Sequence, residues 1–166
     1  MRITLLSDTH SYLDSGIIKH LESADEIWHA GDVGSKELID KLEQINPLRG
    51  VYGNIDGSEI RACLPLNQIF EIQGLKVFMT HIGGYPKRYT ARVNEELKTN
   101  SYDLFISGHS HILKVMFDKQ HQLLHMNPGA SGRHGFHQIR TLLKFEINRA
   151  KIENLQVVEL GKRSKE

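Results

Sequence analysis

The sequence predicts an α/β fold, and three observations carry that reading. Short apolar runs recur at residues 3–6, 27–30, 51–52, 77–79 and 104–106, and runs this short and this uniformly apolar suit strands covered on both faces. Segments with helical spacing lie between the first of them. After Leu113 the character changes to short strand candidates separated by turn residues, which suits an antiparallel-rich second sheet.

Taken in order, residues 3–6 form the first strand and residues 15–22 a helix, and residues 27–30 form the second strand. The next helix covers residues 35–45: Ser35 serves as N-cap, Leu38, Ile39, Leu42 and Ile45 recur on one face, and Pro47 follows the end. With a third strand at residues 51–52 this is a β-α-β-α-β series. Residues 68–72 and 75–80 read as a hairpin around Gln73-Gly74, and residues 89–100 as another helix. Strand candidates follow at 77–79 within that hairpin, at 104–106, and then at 114–117, 123–126, 141–147 and 152–159. Asn148-Arg149 is the expected turn between the last two. One domain over residues 1–160 is expected, with a charged, frayed tail at 161–166.

Each of the five apolar runs ends in an oxygen or imidazole donor. The series is Asp8 and His10, then Asp32, Asn54, His81, and finally His109 and His111. Open α/β sheets place ligands just beyond the carboxyl ends of their strands, so these side chains are expected to converge on one edge as a two-metal site. The i, i+2 spacing in Asp8-Thr9-His10 and His109-Ser110-His111 aims both members of a pair the same way if the backbone stays extended. Gly31, Gly53 and Gly108 each precede a donor directly, where a missing Cβ permits a tight turn and close packing.

Composition narrows the function classes. Lys and Arg number 21 against 20 Asp and Glu, a formal charge of +1, so nothing favours an electrostatic nucleic-acid surface. No apolar run approaches the roughly 18 residues needed to span a bilayer, and residues 1–6 lead directly into a strand rather than a signal sequence, so a cytoplasmic location is expected. Cys63 is the single cysteine, which excludes an intrachain disulfide, and a buried structural thiol is expected.

The ordered motifs Asp8-Thr9-His10, Gly31-Asp32, Gly53-Asn54-Ile55-Asp56, His81 and Gly108-His109-Ser110-His111 resemble those of the calcineurin-like metallophosphoesterases. The small bacterial and archaeal phosphodiesterase branch is the nearest in size, and Asn127-Pro128-Gly129 matches a late motif of the same group. The resemblance implies a four-layer α-β-β-α sandwich with two facing mixed β-sheets. It implies that Asp8, His10, Asp32 and His111 hold one metal and that Asp32, Asn54, His81 and His109 hold the other, with Asp32 bridging. It also implies hydrolysis of a phosphodiester by a metal-bound hydroxide. The donor set suits two borderline divalent ions, manganese first, with iron, zinc or nickel as alternatives.

One departure concerns mechanism. Many phosphomonoesterases of this superfamily carry a proton-donating histidine where this chain has Ile55, whereas the small phosphodiesterases commonly lack it. Asp56 is read as a residue that fixes its loop. Two loops are candidates for a small phosphorylated substrate, one with Tyr85, Lys87 and Arg88, the other with Arg133, His134 and His137. His20, His29, His121 and His125 are read as surface or packing residues. Alternatives are a phosphomonoesterase, a nuclease, or a non-catalytic protein-contact module like the related retromer subunit, and a homo-oligomer is left open.

Overall fold

The computed structural model describes residues 1–163. Its elements in chain order are β1 (Arg2–Leu6), α1 (Ser15–Glu22), β2 (Glu26–His29), α2 (Lys36–Ile45), β3 (Leu48–Gly50), α3 (Ser58–Cys63), β4 (Asn67–Ile72), β5 (Leu75–Thr80), β6 (Gly84–Tyr85), β7 (Arg88–Tyr89), α4 (Ala91–Thr99), β8 (Leu104–Ile106), β9 (Leu113–Asp118), β10 (Leu123–Pro128), β11 (Ile139–Asn148) and β12 (Lys151–Lys162).

Two five-stranded mixed sheets result. The first has the order β12-β11-β1-β2-β3, with β1, β2 and β3 parallel and β11 antiparallel to both of its neighbours. The second has the order β4-β5-β8-β10-β9, with a parallel centre flanked by antiparallel edges. Strand alternation then builds three cores. In β5, Val77 and Met79 point inward to join Ile3, Leu5, Trp28, Leu104, Met126 and Phe145 between the sheets, while Phe78 points outward. Ile17 and Leu21 of α1, Leu38 and Leu42 of α2 and Ile60 of α3 cover the outer face of the first sheet. Val93 and Leu97 of α4 pack with Phe78 and Phe105 on the outer face of the second. This is the expected α-β-β-α sandwich.

Local signals explain the helix limits. Asp14, Ser35 and Thr90 each accept a backbone N–H of the first turn of α1, α2 and α4, from Ile17, Leu38 and Val93. The β4–β5 hairpin turns on Gln73 and Gly74, both at positive φ (48° and 82°), the primed geometry that matches strand twist.

Several expectations need correction. The third strand lies at Leu48–Gly50, upstream of Val51-Tyr52, because pairing with β2 ends where the chain must turn to deliver Asn54. The helix α3 was not expected. It carries Cys63, which is exposed and not buried, since Ile60 and Leu64, four residues apart, take the inward face. The loop after Gly83 is a small hairpin of β6 and β7, and the last β-turn centres on Arg149 and Ala150, one residue later than expected. The tail reading fails at its start: Gly161 and Lys162 continue β12, and the Arg163 N–H donates to the Gln138 carbonyl at 2.9 Å. The remainder of the expected tail lies outside the described residues. Among the described residues, no helix is long and apolar enough to cross a membrane.

Candidate metal centre

The expected donors do gather beyond the carboxyl ends of the parallel strands, but not on extended backbone. Asp8, His10, Asp32, His109 and His111 all have positive φ, between 48° and 68°. Such conformations cost about 1 to 3 kcal/mol each for non-glycine residues and persist only when the surroundings hold them. Here backbone bonds do so: the Asp8 N–H donates to Gly31 O at 2.9 Å, the His10 N–H to Asp32 O at 3.1 Å, and the Gly132 N–H to Asp8 O at 3.1 Å. As a consequence the paired motifs diverge. His111 places Nε2 3.1 Å from Asp8 Oδ1, whereas the His109 ring lies 5.3 Å from that of His81.

Two groups of donors result, Asp8 with His10 and His111, and Asp8 with Asp32 and His81, each with its donor atoms within 4.8 Å of one another. Asp32 faces both groups, with Oδ1 3.2 Å from His81 Nε2 and Oδ2 3.8 Å from His10 Nε2. Asn54 Oδ1 lies 3.2 Å from the same His81 nitrogen. Because His81 Nδ1 sits 2.7 Å from the Ala30 carbonyl, which can only accept, that nitrogen carries the proton and Nε2 turns its lone pair toward three oxygens. Only a proton or a cation makes such a juncture favourable. Burial lowers the pKa of His81, but Asp32, Asp8 and the Ala30 carbonyl outweigh it and raise the value overall. Burial pushes Asp32 up, yet His81, the Ile55 N–H and His10 hold it below its ordinary value.

A metal fits these residues. Asp8 Oδ1 and His10 Nε2, on two side chains of one donor group, are buried atoms without a hydrogen-bond partner among the described residues. The cradle is also tight, since a Cβ at Gly53 would stand 2.0 Å from Asp32 Oδ1 and one at Gly31 2.5 Å from His81 Nδ1. Imidazole, carboxylate and amide oxygen together suit a borderline divalent ion.

Supporting residues hold the loops in register. Asp56 is buried, and its carboxylate accepts three backbone amides: Val33 at 3.1 Å, Gly34 at 2.8 Å and Gly53 at 2.8 Å. It thereby ties the Asp32 loop to the Asn54 loop. His29, expected only to pack, does more. Its Nδ1 accepts the Gly31 N–H, so Nε2–H donates to Thr9 Oγ1 at 2.9 Å, and Thr9 in turn donates to Val33 O. Burial holds this imidazole down at about 4 and keeps it neutral. The available sequence signal was its place as the last residue of β2, just before a ligand turn. Asn127 donates to the Gly108 carbonyl at 2.8 Å and so steadies the His109 loop.

The substrate-loop candidates divide. His134 and His137 flank the centre, with rings 4.8 Å from His10 and 5.3 Å from His111 respectively. Arg133 is turned aside to stack on Tyr12, 4.5 Å from its ring. Tyr85 lines a cleft beside His109, whereas Lys87 and Arg88 are exposed on the β6–β7 hairpin and line neither cleft beside the centre. One of those clefts, about 380 Å³, opens from Asn54 and His81 along Tyr52, Leu66 and Arg92. The other, about 210 Å³, opens from His109.

The four-layer sandwich and the carboxylates and imidazoles gathered at its strand ends define an α/β protein with a candidate metal centre. The model of the calcineurin-like phosphoesterase superfamily domain matches residues 1–150, and the chain belongs to that superfamily. A protein of Methanocaldococcus jannaschii described as a probable metallophosphoesterase is 32% identical over 136 residues, covering 78% of this chain and 68% of the relative. Among solved structures, wild-type Vps29 of Entamoeba histolytica in complex with zinc superposes with a TM-score of 0.70 at 17% identity, covering 97% of this chain and 100% of the other. An uncharacterised phosphoesterase-like protein of Streptococcus pneumoniae does so with a TM-score of 0.70 at 19% identity, covering 96% and 89%. At such identities these two structures bear on the fold alone.

Proposed function

We propose that this protein hydrolyses a small phosphodiester at a centre of two divalent metal ions, manganese first among them. The observation that carries this reading is the pair of donor groups joined by carboxylates, with Asp8 in both and Asp32 facing both. Asp8, His10, Asp32 and His111 would hold one ion, and Asp32, Asn54, His81 and His109 the other. Divalent ions, when bound, supply Lewis-acid neutralisation of the phosphoryl oxygens and a hydroxide nucleophile at neutral pH.

The remaining work falls to the chain itself. Ala30, through its carbonyl, keeps the His81 proton on Nδ1 and leaves Nε2 free to act as a donor atom. Asp56 and His29 hold the ligand loops at fixed separation, so little reorganisation is needed when substrate arrives. Asn54 and His109 are exposed, and each lines one of the two clefts beside the centre. Those clefts provide room for two organic arms. Ile55 is exposed beside the centre, with its N–H donated to Asp32 Oδ1 at 3.1 Å, and its aliphatic side chain cannot protonate a leaving group. This supports esters with good leaving groups over phosphomonoesters.

The test is turnover of bis-p-nitrophenyl phosphate and p-nitrophenyl phosphate by metal-stripped protein reconstituted with manganese, iron, zinc or nickel. Metal-dependent hydrolysis favouring the diester is expected. Hydrolysis of the monoester alone would make the protein a phosphomonoesterase. Absence of turnover with every metal would leave a protein-contact role on this fold.

A further inference from the structure

The smaller cleft contains a side chain that the hydrolytic centre does not use. His125 of β10 is fully buried, yet among the described residues neither ring nitrogen has a hydrogen-bond partner. A buried imidazole with donor and acceptor both unmet is costly, and such groups in folded chains ordinarily face something that satisfies them. His125 lines the cleft of about 210 Å³ beside His109, together with Ser110, Lys114 and Tyr85.

Register places these residues on one face. Lys114 stands opposite Asn127 and Met116 opposite His125 in the antiparallel β9–β10 pair, so all four side chains share the outer face of the second sheet. The Lys114 ammonium sits 4.2 Å from the centre of the Tyr85 ring, and among the described residues it has no carboxylate partner. The nearby Asp118 is already engaged by Tyr89 at 2.9 Å and His121 at 2.8 Å and does not line the cleft. Ser110 Oγ accepts from the Ile112 N–H and from Asn127 Nδ2, which leaves its own proton free to be donated. Burial, with Lys114 adding to it, lowers the His125 pKa to about 4, so at neutral pH the ring offers one N–H rather than a second charge.

The geometry points to an anion-binding subsite in this cleft, in which Lys114, His125 and Ser110 hold a phosphate or carboxylate on one arm of the substrate. One cation, two neutral donors and no lining carboxylate form a receptor for anionic oxygen. Its place next to His109 ties it to the hydrolytic centre, and the identity of the ligand as a substrate arm rests on the phosphodiesterase reading. The substrate class is therefore a phosphodiester bearing a second anionic group, such as a nucleotide with a further phosphate.

Two measurements on the full-length chain test this. In the first, inorganic phosphate is titrated into protein held in chelator, and the His125 ring signals are followed by NMR and assigned by their loss in His125→Phe. Saturable movement that disappears in Lys114→Gln is expected. In the second, kcat/KM is compared for the p-nitrophenyl ester of thymidine 5′-phosphate and for the same ester carrying a 3′-phosphate. The wild-type ratio should favour the 3′-phosphorylated ester by about 10-fold and fall toward 1 in Lys114→Gln. Unmoved ring signals together with a wild-type ratio near 1 would overturn the subsite. Movement without hydrolysis of any diester would uphold the subsite and defeat the phosphodiesterase reading instead.

Discussion

Asp56 offers the sharpest test of how the centre is held. Its carboxylate lies buried and takes three backbone amides from two loops on its two oxygens, so Asp56→Ala removes all three hydrogen bonds while leaving the donors in a space too confined to solvate freely. Each buried N–H left unmade costs about 1 to 2 kcal/mol, which places the loss of unfolding free energy at about 3 to 6 kcal/mol. Asp56→Asn should cost less, because the amide oxygen can still serve Val33 and Gly53, while its NH2 group is left facing the Gly34 N–H. Stability is read from urea unfolding of metal-free protein, and metal affinity from manganese titration of the folded fraction. The affinity should fall at least about 10-fold in Asp56→Ala, since Asp32 and Asn54 then ride on loops no longer joined. A variant with wild-type stability and wild-type metal affinity would show that the three hydrogen bonds do not position the centre.

Asp32→Asn should nearly abolish metal-dependent turnover with the fold retained by circular dichroism, and two metals bound normally with wild-type rate would reject Asp32 as the shared ligand. Because Ile55 cannot donate a proton, the wild-type rate should fall steeply as leaving-group pKa rises, and Ile55→His should raise phosphomonoester turnover by about 10-fold, or about 1.4 kcal/mol of barrier. A shallow leaving-group slope would identify another donor, with His134 beside His10 the first to test. Burial lowers His29 and His125 to about 4, so their contribution to stability is complete above the unfolded-state value near 6.5 and is lost as pH falls from there toward 4. In that window His125→Phe should flatten the dependence of unfolding free energy on pH by about 1.4 kcal/mol per pH unit, measured by urea denaturation at each pH, and an unchanged slope would contradict a neutral buried ring.

The candidate donors were legible in the sequence because each follows an apolar run short enough to be a buried strand, and strand ends are where open sheets present side chains. The same periodicities disclosed α1, α2, α4 and the Gln73-Gly74 hairpin, but the late strands do not form the separate antiparallel-rich sheet expected of them: β9 and β10 extend the sheet of β4, β5 and β8, while β11 and β12 return to pair beside β1 in the first sheet. What lay beyond the sequence depended on contacts between distant segments. The left-handed backbone at Asp8, His10, Asp32, His109 and His111 is imposed by bonds between loops, and it overturns the extended geometry that i, i+2 spacing alone suggests. Burial likewise decides the fate of single residues. Cys63 faces solvent because Ile60 and Leu64 turn inward, His29 becomes a brace between loops, and His125 is left unsatisfied in a cleft; of the three, only His29, last in its strand before a ligand turn, carried a local signal. Local sequence determines which side chains can carry the chemistry, while the packing of two sheets against each other decides which of them meet, because donor separations are fixed by contacts between residues far apart in the chain.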